Sequence, residues 1–174
     1  MNIIVSARLE RRYQKHRELH EKLKEYAQDI LDSERFESTK EFIQHDRTTV
    51  HQHCVDVAKQ SIIISRRLRM KVNEREMIRG ALLHDYFLYD WHDKNRENFR
   101  RWHGFHHPGT ALINASRDYE LTNREKDIIK KHMWPMTIVP PRYKEAWIVT
   151  FADKYVSTLE TLKLRRNSIR YNDL

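Results

Sequence analysis

Apolar residues recur at three- and four-residue spacing along nearly the whole chain, and no segment shows a sustained two-residue alternation. This is the period of amphipathic α-helices rather than of half-buried strands. With only three Gly and four Pro, and no repeat or linker, the 174 residues are predicted to form one all-α domain. The pattern predicts helices over about 6–31, 33–43, 49–69, 74–84, 95–102, 107–117, 122–132 and 142–166.

Two helix starts carry recognisable capping residues. Ser33 precedes the second predicted helix and is expected to be its N-cap. Thr122 is followed three residues later by Glu125, which is the spacing of a capping box. These residues fix where two of the predicted helices should begin.

The charge and cysteine content limit the partners and the compartment. The net charge is +8, but Lys and Arg are interleaved with 25 acidic residues, and the densest basic patch is "LKLRRNSIR" near the C-terminus. Such a charge attracts phosphate-bearing small molecules and nucleic acids alike. Because the basic residues are interleaved with acidic ones, a phosphate-bearing small molecule is the predicted partner, and nucleic acid is a possible but not favoured one. The single Cys54 permits no intramolecular disulfide. With no apolar segment long enough for a signal peptide or a membrane span, we expect a cytoplasmic protein.

Several predicted helices place a histidine or an aspartate on their apolar face. A buried polar side chain costs free energy unless it has partners, and a buried carboxylate costs more. Because four helices share this feature, their polar side chains are predicted to converge on a metal ion. His51 lies about 200° from the inward residue of its helix and is expected to point elsewhere. The inward residues are His53, His84, Asp85, His132 and Asp153.

The dipeptide His-Asp occurs three times, at positions 45–46, 84–85 and 92–93. Only the second copy falls in an apolar register, so it is the one predicted to bind metal. Asp93 is surrounded by charged residues and is interpreted as a helix N-cap. His45 lies in a connection between predicted helices and is a candidate for the rim of a pocket.

The motifs "HCVDVA" at His53, "LLHD" at 84–85 and "FADKYVS" at Asp153 resemble those of the HD superfamily of metal-dependent phosphohydrolases. Two further elements, "HHPG" around His107 and "KHMWP" around His132, resemble the dinuclear branch with the order H…HD…H…H…D. The combination is similar to an uncharacterised bacterial group of HD-domain proteins. The resemblance implies an HD-domain helical bundle over about 40–160 with an N-terminal helical extension over about 1–40.

The same resemblance implies a set of site residues. One metal would be bound by His53, His84, Asp85 and Asp153. Asp85 would bridge to a second metal held by His107 and His132, with His106 as the alternative to His107. Nitrogen and oxygen ligands favour two divalent ions, Fe or Mn first, with Zn, Co, Ni and Mg as alternatives. Asp85 and Lys154 are the predicted catalytic residues, and the candidates for substrate contacts are Lys154, His45 and Arg142.

These expectations define three classes of function. The first is a phosphomonoesterase or phosphodiesterase that acts on a nucleotide or related phosphate ester through a metal-activated water. The second is a non-catalytic, metal-stabilised module that binds nucleic acid or protein. The third is a diiron oxygenase. Neither GxGxxG nor GxxxxGK occurs, so a nucleotide would be bound through metal and basic side chains rather than through a glycine-rich loop.

Overall fold

The computed structural model describes residues 2–45, 48–89 and 97–162, and these are almost entirely helical. The all-α prediction is confirmed. The elements, in chain order, are α1 (Asn2–Leu31), α2 (Glu34–Glu37), a 3-10 turn (Ser38–Glu41), β1 (Ile43–His45), β2 (Thr48–Thr49), α3 (Val50–Arg67), α4 (Glu74–Leu83), α5 (Glu97–Asp118), α6 (Asn123–Lys131) and α7 (Lys144–Thr161).

Side-chain caps start several of the helices. Ser33 accepts a hydrogen bond from the backbone N–H of Phe36 at the start of α2. Thr122 and Glu125 form the complete capping box of α6. Both predicted caps are confirmed. Each supplies an acceptor for an N–H group that lacks a partner within the first turn.

Three predicted helix boundaries are wrong. The predicted helices over 95–102 and 107–117 are one continuous helix, α5, with Pro108 inside it. A proline removes one backbone hydrogen bond. Helix α5 nevertheless continues through Pro108 and packs against α6. The last helix, predicted to reach 166, ends at Thr161, and the basic patch that follows lies outside the described residues apart from Leu162.

The segment predicted as a helix over 33–43 is the third difference. It breaks after α2 into the 3-10 turn and the short strand β1, which pairs antiparallel with β2. Ile43 opposes Thr49 in this hairpin, and the N–H of Val50 donates to the carbonyl of Phe42 at 2.8 Å. Backbone pairing therefore overrides the local helical pattern. The strands are too short for alternation to show in the sequence.

The helices pack around α3 and α4. Helix α3 contacts α4 and α7, and α6 contacts α4, α5 and α7. Helix α1 lies against α3 and α4, where it buries Leu19, Leu23, Ala27 and Ile30. Helix α1 therefore contributes to the hydrophobic core. Among the described helices, none combines the length and the hydropathy needed to cross a bilayer.

Candidate metal centre

Six of the predicted site residues come from five helical segments and lie together in the interior. His53 is in the first turns of α3, His84 and Asp85 follow the end of α4, and His107 is in α5. His132 caps the C-terminal end of α6, and Asp153 is in the middle of α7. All six are buried, with side chains no more than a tenth exposed. The six are His53, His84, Asp85, His107, His132 and Asp153, hereafter the cluster.

Asp85 lies between two pairs of imidazoles. Its Oδ2 atom is 3.8 Å from Nε2 of His53 and 3.5 Å from Nε2 of His84. Its Oδ1 atom is 3.1 Å from Nε2 of His107 and 3.4 Å from Nε2 of His132. Each carboxylate oxygen therefore faces a different pair of histidines.

Asp153 closes the side of the cluster that faces Asp85 Oδ2. Its Oδ1 atom is 3.2 Å from Nε2 of His53 and 3.9 Å from Nε2 of His84. Ser157 donates a hydrogen bond to the same oxygen at 3.1 Å. The potential ligand atoms of His53, His84 and Asp153 all lie within 4.8 Å of one another, as do those of His84, Asp85 and His132.

Hydrogen bonds fix the orientation of three of the imidazoles. Nδ1 of His84 donates to the carbonyl of Ala81 at 2.7 Å, and Nδ1 of His132 donates to the carbonyl of Ile129 at 2.9 Å. Nδ1 of His53 lies 3.0 Å from the Glu160 carboxylate. These oxygens accept hydrogen bonds, so each Nδ1 carries a proton and each Nε2 faces the cluster. In neutral histidine this leaves the Nε2 lone pair for a metal.

Two details bear on whether the cluster fits a metal cation. The Nε2 atoms of His107 and His132 are 2.8 Å apart, and the Nδ1 bond of His132 leaves a lone pair on its Nε2 when the ring is neutral. Either a proton on Nε2 of His107 or a bound cation satisfies this contact. Nε2 of His84 is fully buried and makes no hydrogen bond to any described residue. Such an atom is destabilising unless a further partner binds it.

The ionisation of the cluster suits a cation as well. Burial lowers the pKa of His84 to about 4, so this ring is neutral at neutral pH. Burial also acts to lower the pKa of His53, but hydrogen bonds to Asp153 and Glu160 outweigh it and raise the pKa. Burial would raise the pKa of Asp85 and Asp153, and the neighbouring imidazoles instead hold both below the ordinary value. The cluster thus combines two carboxylates with a neutral imidazole ligand.

The remaining predicted site residues lie in different places. Lys154 is half-buried, and its Nζ donates to the carbonyl of His132 at 3.1 Å, so it contacts the backbone of a cluster residue. Burial lowers its pKa. Arg142 is exposed, donates its backbone N–H to Asp127 and lies over the ring of Tyr143; neither contact involves the cluster.

The positions of other histidines can also be compared with the predictions. His107 is buried in the cluster, whereas the alternative His106 is exposed. His51 does point away from the cluster, yet it is buried, because its ring packs against Phe36 at a centroid distance of 4.8 Å. His45 contributes its backbone to β1, and its side chain lies outside the described part of the chain. Residues 92–93, which include the predicted N-cap Asp93, also lie outside the described part of the chain.

Two side chains that the sequence reasoning did not predict contact the cluster. Glu160 follows Asp153 by two helical turns on the same face of α7 and holds His53. Its position in the apolar register was a usable signal. Gln44 donates from Nε2 to Oδ2 of Asp85 at 2.6 Å. No sequence pattern pointed to it, since it belongs to the hairpin that the periodicity missed.

Comparison with known proteins agrees with this geometry. A family model described as HD domain matches residues 50–158, which is more than half of the chain. The chain belongs to the HD-domain family. This family is part of the superfamily of metal-dependent phosphohydrolases, and membership implies binding of a divalent metal. No curated protein and no solved structure matches the chain. The matched range includes all six cluster residues and excludes Gln44, Glu160 and α1.

Proposed function

We propose that this HD-domain protein is a phosphomonoesterase or phosphodiesterase that hydrolyses a nucleotide or related phosphate ester with two bound divalent ions. The observation that carries the proposal is the position of Asp85, whose two carboxylate oxygens each face a separate pair of buried imidazoles. One ion would be held by His53, His84, Asp85 and Asp153. The other would be held by Asp85, His107 and His132.

The chain's own residues prepare the site for phosphate chemistry. Bound divalent ions would supply Lewis acidity toward the phosphoryl oxygens and a water of lowered pKa. The hydrogen bonds at Nδ1 keep His53, His84 and His132 turned with Nε2 inward. Asp85 and Asp153 are ionised, and their negative charge would partly offset that of two divalent cations. Burial of the cluster excludes bulk water and so strengthens these electrostatic interactions.

Lys154 is the proposed phosphate contact. Its bond to the carbonyl of His132 holds an ammonium group beside the cluster. A cation at this position would neutralise negative charge on a phosphate bound at the metals. A side-chain nucleophile is not required, and Cys54 is packed in the hydrophobic core at 1% exposure. The reaction is therefore proposed to use water rather than a covalent intermediate.

Three aromatic rings beside Lys154 support a nucleotide over a simple phosphate ester. Trp147 packs edge-on against Trp134 at 4.8 Å and lies nearly parallel to Phe151 at 6.0 Å. Trp147, Phe151 and Lys154 follow one another at four- and three-residue spacing, so they share one face of α7. Phe151 is 55% exposed. Exposed rings of this kind stack on nucleobases.

Hydrolysis by the metal-loaded protein tests the proposal. The protein is loaded separately with Mn²⁺ and Fe²⁺ and assayed with nucleoside mono-, di- and triphosphates, cyclic nucleotides and bis(p-nitrophenyl) phosphate. We expect metal-dependent turnover that Asp85→Asn abolishes. Asp56→Asn is the matched control, because Asp56 is a half-buried aspartate of α3 that, like Asp85, accepts a hydrogen bond from a glutamine amide, that of Gln52 at 3.0 Å. A metal-loaded protein that hydrolyses none of these compounds would contradict the proposal.

The same preparations separate the other two classes of function. Turnover that requires iron and oxygen and is lost with Mn²⁺ would indicate an oxygenase. Salt-sensitive binding of RNA or DNA that Asp85→Asn leaves unchanged would indicate a binding module. Hydrolysis supported by Mn²⁺ would exclude the oxygenase. Loss of that hydrolysis in Asp85→Asn would exclude the non-catalytic binding module.

A further inference from the structure

Gln44 reaches the cluster from outside the family core. It is the middle residue of β1, which pairs with β2, and it lies six residues before the start of the HD-domain match. Strand β1 lies against α3 and α7, the helices that carry His53 and Asp153. The Gln44 side chain is buried at 8% exposure. The hairpin therefore inserts an amide beside the cluster that the matched HD domain does not itself contain.

The amide of Gln44 is bound on one side only. Its Nε2 donates to Oδ2 of Asp85 at 2.6 Å. A donor to an ionised carboxylate makes a strong and directional hydrogen bond. Its Oε1 is buried and makes no hydrogen bond to any described residue. A buried amide oxygen without a donor is destabilising, so a donor from outside the chain would be favoured there.

The hydrogen bond from Gln44 acts on the most constrained feature of the site. The two oxygens of Asp85 face different histidine pairs, and rotation of the carboxylate would disturb both sets of distances at once. Gln44 contacts only Oδ2, so it distinguishes the two oxygens and opposes this rotation. Hydrogen bonds that orient metal-binding carboxylates commonly change metal affinity by about 10- to 100-fold.

We propose that Gln44 is a positioning residue of the metal centre, which holds the orientation of Asp85 through Nε2 and accepts a hydrogen bond through Oε1 from a water or hydroxyl group of a bound ligand. This inference rests on the metal binding of the proposed function. It adds the N-terminal hairpin to the site.

Mn²⁺ affinity of the full chain tests the inference without reference to turnover. Metal-free protein is titrated with Mn²⁺, and the unbound ion is followed by electron paramagnetic resonance. Gln44→Met keeps the length of the side chain and removes the amide, and we expect Mn²⁺ binding to weaken about 10-fold or more. Gln52→Met is the matched control, because Gln52 also donates from Nε2 to an aspartate, Asp56, at 3.0 Å. We expect this control to bind Mn²⁺ like the wild type.

Thermal unfolding of the metal-free proteins separates positioning from a purely structural role. We expect Gln44→Met to unfold within a few degrees of Gln52→Met. If Gln44→Met unfolds at a much lower temperature, Gln44→Asn is tested instead, because it keeps an amide but is one methylene too short to reach Asp85. Weaker Mn²⁺ binding by Gln44→Asn supports the inference, and wild-type Mn²⁺ binding overturns it. Wild-type Mn²⁺ affinity in Gln44→Met, or equal losses in both methionine variants, also overturns it. A wild-type chain that binds none of Mn²⁺, Fe²⁺ and Zn²⁺ overturns the proposed function as well.

Discussion

Replacing Glu160 tests how the second layer of contacts supports the proposed metal centre. The Glu160 carboxylate is buried and lies 3.0 Å from Nδ1 of His53, which is itself fully buried. In Glu160→Leu the Nδ1–H group has no acceptor at this position, and the ring loses the contact that turns Nε2 toward Asp153. Glu160→Gln retains an oxygen that can accept the hydrogen bond but removes the charge.

The size of the effect follows from the burial of the pair. Leaving a buried N–H group without its acceptor costs about 1–3 kcal/mol. If this cost falls on the metal-bound orientation of His53, it corresponds to a loss of about 5- to 150-fold in metal affinity. Second-layer partners of metal-binding histidines show a similar range, about 10- to 100-fold. We therefore expect Mn²⁺ binding to weaken at least 10-fold in Glu160→Leu and less in Glu160→Gln.

A second buried glutamate of α7 provides the control. Glu145 is 1% exposed and accepts a hydrogen bond from the backbone N–H of Asn73 at 2.9 Å, away from the cluster. Glu145→Leu should lower the thermal stability and leave the Mn²⁺ dissociation constant unchanged. The reasoning is refuted if Glu160→Leu binds Mn²⁺ as tightly as the wild type, or if Glu145→Leu weakens binding equally.

Two further predictions concern stability and substrate choice. Burial lowers the pKa of His51 from 6.5 to about 4, so the unfolded chain takes up a proton more readily and stability falls as the pH drops through this interval. From pH 7 to 5 the wild type should lose about 2 kcal/mol more of its unfolding free energy than His51→Phe, measured with urea; equal losses would contradict this. Phe151→Ala should raise KM for a nucleotide about 10-fold and leave KM for glycerol 2-phosphate, which has no aromatic ring, unchanged. Ile113→Ala, at a site 71% exposed on α5, is the control, and an equal rise for both substrates would argue against stacking.

The convergence of five cluster residues was accessible from the sequence because each has a helical register of its own, whereas His107 was predicted only from the family resemblance. His53, Asp153 and the residues after α4 each interrupt an otherwise apolar stripe. Burial of such side chains requires partners, and the shared interior of a small helical bundle leaves few places for them. Glu160 occupied the same register as Asp153, so the rule that found the cluster applies to it too.

Other features depend on tertiary contacts that the periodicity does not encode. Gln44 reaches Asp85 through a hairpin of only five strand residues, where alternation cannot be recognised. Helix α5 continues through Pro108, which local propensity disfavours, and it packs against α6. His51 was expected to point away from the cluster, and it does. Its burial comes from contact with Phe36 of α2, and the periodicity of α3 does not encode a contact with another helix.

The metal content of two aspartate variants tests the central claim most directly. Asp85 and Asp93 both follow a histidine in the sequence. Asp85 lies in the cluster, and Asp93 lies outside the described residues. Each protein is loaded with Mn²⁺, freed of loosely bound ions and analysed by plasma mass spectrometry. We predict about two ions per chain in the wild type and in Asp93→Asn, and loss of bound metal in Asp85→Asn. Equal metal content in the two variants would contradict the assignment of the centre to Asp85.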